Sequence, residues 1–157
     1  MGISYRLRKI AGLVTPGYIV ADIGTDHGYV PLLLLKEGII PGAIAVDVSR
    51  GSLEKARENA VRFSLEDRID FRCCDGLSGI NPGEAQCIII CGMGGILMNR
   101  ILNEGRSAAL SAREIILSPH RDVDLPVSFL KENGFSIEVD EVIEDKKKSY
   151  HIVKGVR

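Results

Sequence analysis

Apolar residues recur along this chain in two periods, and each change of period marks an element. Leu7, Ile10, Ala11 and Val14 fall at helical spacing, which predicts a helix over residues 4–14, ended by Thr15-Pro16-Gly17. Residues 18–22 form a short apolar run and predict a strand. Residues 28–37 are leucine-rich and predict its helix, with Pro31 tolerated in the first turn and Gly38 as the stop. The alternation continues with a strand at 43–47 and a helix at 52–63 behind a Ser49 N-cap, its inner face Leu53, Ala56, Ala60 and Phe63. Strands at 69–74 and 86–91, a helix at 96–103, a strand at 114–117 and a helix at 123–133 follow. A run such as Ala43-Ile44-Ala45-Val46, apolar without interruption, suits a parallel strand covered on both faces.

The pattern changes near the end. Residues 135–143 and 149–153 are strand-like and are joined by Glu144-Asp145-Lys146-Lys147-Lys148, a link short enough to require an antiparallel pair. The lysines in it read as a solvated turn. The expected fold is α/β and Rossmann-like: a doubly wound, mostly parallel sheet with one antiparallel strand in a C-terminal hairpin.

Bulk properties narrow the function classes. The 157 residues fit one domain, 1–157, with 45% hydrophobic and 26% charged residues and no internal repeat. A net charge of −1 leaves no footprint of nucleic-acid binding, so an RNA substrate would need a local basic patch or a further domain. The longest apolar stretch, 29–46, is broken by Lys36, Glu37 and two prolines, so no membrane span is expected. The start shows no signal-peptide pattern, and Arg6 stands where a myristoylation motif has Ser or Thr. The expected location is cytoplasmic. Cys73, Cys74, Cys87 and Cys91 match no common zinc spacing and the histidines are scattered. No metal is expected, and the cysteines read as buried free thiols in a reducing compartment.

The candidate chemistry lies where strands end, because ligands of open α/β sheets bind beyond the carboxyl ends of the strands. Those ends are Asp22-Ile23-Gly24-Thr25-Asp26-His27-Gly28, Asp47-Val48, Asp75-Gly76, Gly92-Met93-Gly94-Gly95 and Ser118-Pro119. Gly24 suits a sharp bend close to a ligand, and Gly28 a helix start close to the sheet. Two carboxylates in the turn, Asp22 and Asp26, would repel a pyrophosphate and favour a cation. S-adenosylmethionine carries an ammonium and a sulfonium and fits. Asp22 and the loop amides can take its amino-acid end. Asp47, about 20 residues beyond the glycine turn, can accept from a ribose diol. Asp75 can accept from an exocyclic amine such as adenine N6. The glycines after Gly92 expose main-chain groups to a substrate, without the Asp or Asn side chain that grips an exocyclic NH2. A ring nitrogen with its own lone pair would need only positioning. Tyr29 or Met93 can pack on a freed base, and Arg6, in a short basic helix beside the turn, can hold a phosphate backbone.

These motifs carry a resemblance. Asp22 to Pro31, Ile44-Ala45-Val46-Asp47-Val48, Asp75-Gly76-Leu77 and Gly92-Met93-Gly94-Gly95, with Arg6-Leu7 and Ser149-Tyr150-His151-Ile152, resemble the bacterial tRNA (adenine-N1)-methyltransferases that act on adenine 22. The resemblance implies a seven-stranded class I methyltransferase fold, S-adenosylmethionine as methyl donor and a D-arm adenine of tRNA as acceptor. It places catalysis at Asp26. The expected cofactor contacts are Asp22, Gly24, Thr25, His27, Gly28, Asp47, Val48, Asp75, Gly76 and Gly92, and the expected substrate contacts are Arg6, Tyr29, Met93 and Gly94. No protein partner is implied. Two departures stand out. Family members continue into a C-terminal coiled-coil domain that helps grip tRNA, whereas this sequence ends at Arg157, and Leu117-Ser118-Pro119-His120 stands for a family Leu-Gln-Pro-Asn. An oxidoreductase using a dinucleotide is disfavoured by Asp26 in place of the middle glycine. A methyltransferase for a small molecule or protein, and a non-catalytic cofactor-binding module, remain open.

Overall fold

The computed structural model describes residues 2–157; Met1, the first residue of the expected domain, lies outside the described residues. The elements follow the expected alternation: α1 (Tyr5–Ala11), β1 (Val20–Ile23), α2 (Tyr29–Lys36), β2 (Ala43–Asp47), α3 (Arg50–Arg62), β3 (Ile69–Cys73), β4 (Cys87–Met93), α4 (Gly95–Glu104), α5 (Arg106–Ser111), β5 (Glu114–Pro119), α6 (Asp124–Glu132), β6 (Ser136–Asp145) and β7 (Lys148–Val156). The strands form one seven-stranded sheet in the order β3-β2-β1-β4-β5-β7-β6. β1 to β5 run parallel, and β7 lies antiparallel between β5 and β6, which is the reversed strand the sequence called for.

The apolar runs explain the layering. Side chains alternate across a strand, so β4 sends Ile88 and Ile90 to one face and Cys87 and Ile89 to the other, all fully buried. Ile88 and Ile90 pack with Met98, Ile101 and Leu102 of α4 and with Phe129 and Leu130 of α6. Cys87 and Ile89 pack with Ile10 of α1 and the leucines of α2. Helices on both faces leave only the strand ends free for chemistry. The order reverses at β1, with β2 on one side and β4 on the other, so a crevice opens at the carboxyl ends of β1 and β4.

Four differences from the sequence reading have physical reasons. β1 begins at Val20, because Tyr18 and Ile19 are still in the approach to the sheet, and it runs one residue past Asp22. β4 continues to Met93 through a register shift between Cys91 and Met93, a bulge at the rim that lets pairing reach Pro119. Helix α5 has no side-chain cap and only six residues, too short to leave a periodic signal. The final hairpin is longer than expected, with Lys146 and Lys147 alone as the turn, both at positive φ (51° and 65°). That is the turn conformation whose twist matches paired strands.

A buried ionic knot ties the chain entry to the far end of the sheet. Glu114, 2% exposed, accepts from the Thr15 backbone N–H at 2.9 Å and from the Thr15 hydroxyl at 2.5 Å. Lys154 Nζ lies 3.6 Å from Glu114 and donates to the Leu13 carbonyl at 2.7 Å. Lys154 also lies 3.4 Å from the exposed Glu138 carboxylate, so removal of Glu114 leaves the lysine one partner but strands the Thr15 N–H and hydroxyl. Glu114→Ala is expected to lower the unfolding free energy by about 3 kcal/mol in urea titrations; a loss under about 0.5 kcal/mol, the size of an ordinary surface change, would contradict this role.

Candidate functional site

β1 delivers Asp22 to the crevice one residue before the strand ends, where its side chain is 5% exposed. One hydrogen bond supports the carboxylate: the Thr25 hydroxyl donates to Oδ2 at 2.8 Å. No cation is paired with it among the described residues. Burial, opposed in part by the Thr25 bond and reinforced by the charges of Asp47 and Asp26, pushes its pKa up to about 6. Asp22 is thus a carboxylate prepared for a positive charge that the chain does not supply.

The loop after β1 is fixed from below and from the side. The backbone N–H groups of Gly24 and Thr25 both donate to the Val46 carbonyl at 2.9 Å. Gly24 turns at φ 73°, a conformation that side chains disfavour. Gly28, also at φ 73°, approaches another element than expected: an added Cβ would meet the Ala56 Cβ of α3 at 3.0 Å, so the close packing is helix on helix rather than helix on sheet. Between them Asp26 also has positive φ, 57°, and its backbone N–H donates to Asp47 Oδ2 at 3.1 Å. The other oxygen of Asp47 accepts from Ser49 N–H at 3.0 Å. Each oxygen keeps a free lone pair for a hydroxyl. The His27 carbonyl accepts from Asn59 Nδ2 at 2.9 Å, and the His27 ring stacks on Tyr29 at 5.2 Å.

Two hollows meet at Gly24. One, about 740 Å³ and open to solvent, is lined by Val46, Asp47, Val48, Cys74, Asp75, Gly76, Met93, Leu97, Arg100 and Ile101. Its walls are apolar and its edge carries Asp47 and Asp75, the features a nucleoside requires. The other, about 520 Å³, is lined by Arg6, Leu7, Asp22, Thr25, Asp26, His27, Tyr29, Cys91 and Gly92. Together they gather the predicted residues at one rim, except for Gly28, which packs beneath the loop, and Gly94, which lies outside them against Arg121 (an added Cβ would sit 3.4 Å from its Nε). Met93, read from the sequence as a surface for a freed base, lines the nucleoside-sized hollow beside Gly24, after the register shift that follows Cys91.

Sequence reasoning missed Leu97, Arg100 and Ile101 of α4. Leu97 and Ile101 are one helical turn apart, and that spacing could have placed them on one wall. Arg100 gave no signal; it reaches Asp75 at 3.5 Å and Glu104 at 2.8 Å. The cysteine reading needs a correction: Cys73 is exposed and Cys74 half-buried, because both sit where β3 ends and opens to the rim, and Cys91 is half-buried where β4 borders the cavity; Cys87 alone is buried. All four thiols are free. Burial raises the pKa of Cys91 far above neutrality, which keeps the thiol beside Asp22 protonated and inert. No cluster of three or more metal-ligating side chains occurs among the described residues, and no helix there is long and apolar enough to cross a membrane.

A model of the methyltransferase domain matches residues 3–153. The chain belongs to this methyltransferase family. Among its relatives, the tRNA (adenine(22)-N(1))-methyltransferase of Bacillus subtilis is 33% identical over 152 residues, covering 96% of this chain. The chain spans 63% of that relative's length. The crystal structure of the B. subtilis M1A22 tRNA methyltransferase superimposes with a TM-score of 0.93 at 30% identity, covering 99% of this chain and 66% of that one. A candidate tRNA (m1A22) methyltransferase of Streptococcus pneumoniae, solved with S-adenosyl-L-methionine, gives 0.92 at 35% identity, covering 99% and 73%. The methyltransferase fold expected from the sequence is therefore the fold observed.

Asp22 sets a stability signature for this methyltransferase domain. Between pH 4 and 6 the native state holds a proton on Asp22 that the unfolded chain has released, so stability falls as pH rises through that window. Asp22→Asn removes the buried charge and keeps an acceptor for Thr25. It is expected to stabilise the ligand-free protein by about 2–3 kcal/mol above pH 6 and by little near pH 4. Denaturant unfolding across pH measures this; equal stability of the two proteins at pH 8 would contradict it.

Proposed function

We propose that this chain transfers a methyl group from S-adenosylmethionine to N1 of an adenine in tRNA, at position 22 in the D-arm, and that it does so in the cytoplasm. The observation that carries the reading is Asp22: a buried carboxylate, unmatched by any cation of the described residues, lining the hollow that meets the nucleoside-sized one at Gly24. The residues fit the group. Asp22 suits the ammonium, Asp47 the ribose hydroxyls, and Val48, Leu97 and Ile101 the faces of an adenine. Asp75, although engaged at 3.5 Å by Arg100, lines the same hollow and can accept from N6. The sulfonium supplies an already activated methyl group. The names and bound ligands of the relatives point the same way.

The chain's own part is alignment and charge. Holding acceptor and donor in line supplies several kcal/mol, up to about 7–11 in the best intramolecular cases. Adenine N1 faces its pairing partner in a duplex, so the base must leave the stack, at a cost of roughly a few kcal/mol. The stacked His27 and Tyr29 rings beside the outer hollow offer a surface for it. Methylation leaves the base cationic. Asp26, whose side chain is 72% exposed at the mouth, stabilises that charge or accepts a proton from N6. Asp47 holds the Asp26 backbone, so the group that binds ribose also sets the group that faces the base.

Incubation of unmodified tRNA with the protein and S-adenosylmethionine, followed by mass spectrometry of nucleosides, is expected to yield 1-methyladenosine; cofactor turnover on other substrates with none on tRNA would overturn the assignment. Asp26→Ala is expected to lower kcat by about 10²–10⁴ with S-adenosylhomocysteine affinity retained. Asp47→Ala is expected to weaken that affinity about tenfold or more by calorimetry, and unchanged affinity would place the ribose elsewhere.

A further inference from the structure

The strand order sorts the hollows along the rim. The nucleoside-sized one lies at the ends of β2 and β3, with Asp47 and Asp75, and the hollow of Asp22 and Gly92 lies at the ends of β1 and β4. Beyond it, at the end of β5 and beside the C-terminal hairpin, is a third hollow of about 480 Å³ that takes no part in holding the cofactor. Its apolar sides are Pro119, Val123 and Val142, and its rings are His120, Tyr150 and His151. Val142 is 61% exposed, an apolar side chain left to water at the mouth. Both walls are tied to the hollow of Asp22. His120 N–H donates to the Met93 carbonyl at 3.0 Å and Gly95 N–H to the Arg121 carbonyl at 2.8 Å, so the loop after β5 is bonded to the glycine loop after β4. Glycine is required for that approach, since a Cβ on Gly95 would lie 2.0 Å from the Asp122 carbonyl oxygen. On the hairpin side the Arg6 guanidinium lies over the Tyr150 ring, 4.6 Å from its centroid.

The chemistry of this hollow suits a flat heterocycle. Unstacked bases are held by stacking on aromatic or histidine rings, with their edges hydrogen-bonded. His151 is bonded to Asp140 through Nε2, which restrains the ring and leaves Nδ1 as the nitrogen that can meet a base edge. Exposed cations stand at both ends of the hollow: Arg121 follows His120, and Lys146-Lys147-Lys148 precedes Ser149. Two carboxylates of the hairpin are already engaged, Asp140 by His151 and Asp145 by the Arg6 backbone N–H at 3.1 Å. A strand whose adenine enters beside Asp26 must run on across the rim. The cofactor occupies the β2 and β3 side, which leaves the β5 side for the continuing strand. We infer that this third hollow is a subsite for the nucleobase adjoining the target adenine in the same RNA strand, with His151, positioned by Asp140, and His120 as its ring contacts. This rests on the tRNA reading and adds to it a second point at which the RNA is chosen.

Steady-state methylation of three tRNAs tests the subsite: one intact, one with an abasic nucleotide on the 5′ side of the target adenine, and one with it on the 3′ side. For the wild-type chain, one of the two abasic tRNAs is expected to show a KM about 5- to 100-fold above that of the intact tRNA, the range for stacking of one base, with kcat little changed. In His151→Ala and in His120→Ala that ratio should shrink to within about threefold, because the KM for intact tRNA rises while the abasic tRNA has no base left to lose. S-adenosylhomocysteine affinity, read by calorimetry, should stay at the wild-type value in both variants. The ratio is taken within each protein, so a general loosening of the fold leaves it unchanged. Equal KM values for the three tRNAs in the wild-type chain, or a ratio that survives in both variants, overturns the subsite while leaving tRNA methylation intact. Absence of methylation on every tRNA by the wild-type chain overturns the tRNA reading and the subsite together.

Discussion

A carboxylate held away from water with no cation beside it raises the free energy of the folded chain, and this domain is built around one. Asp22 occupies β1 at the point where the sheet order reverses, with helices covering both faces and the side chain 5% exposed. A single hydroxyl from Thr25 keeps it oriented. The energy that folding leaves unsatisfied there is recovered when a positive charge arrives. Such an arrangement favours binding over stability, a trade common at functional sites.

The rest of the rim follows from that choice. The same loop must bend sharply, hence the positive φ at Gly24, Asp26 and Gly28, and each bend is held by a partner from the next unit: the Val46 carbonyl, the Asp47 carboxylate, the Asn59 amide and Ala56. Asp47 links two jobs in one side chain, since it faces the nucleoside hollow and also anchors the backbone of Asp26. Loss of the nucleoside contact and disorder of the acceptor-facing carboxylate are therefore coupled. Beside the apolar wall from α4 and the protonated Cys91 thiol, the polar lining of the two hollows is the acidic groups, Arg6, Arg100, Thr25, His27 and Tyr29.

Much of this was legible in the residues. Uninterrupted apolar strands separated by amphipathic segments dictated a covered parallel sheet, and the short link at 144–148 dictated a reversed strand. Carboxylates at strand ends marked the rim, because that position is set by topology rather than by side-chain detail. What the sequence left hidden depends on which way side chains turn. The bulge after Cys91, invisible in a run of apolar residues, sends Met93 inward. The sequence placed Arg6 in a short basic helix beside the glycine turn, and contact with Tyr150, 144 residues away in sequence, is what holds its side chain at the cleft. The approach of Gly28 to Ala56 likewise depends on how two helices pack, which no local pattern encodes.

The central claim is that binding of the cofactor neutralises the Asp22 carboxylate with an ammonium. Calorimetric binding of S-adenosylhomocysteine in buffers of different ionisation enthalpy tests it directly. A group with a pKa near 6 is about half protonated at pH 6, so binding there should release about half a proton, and close to none at pH 8. Release that is absent at pH 6, or that persists unchanged in Asp22→Asn, would contradict the account.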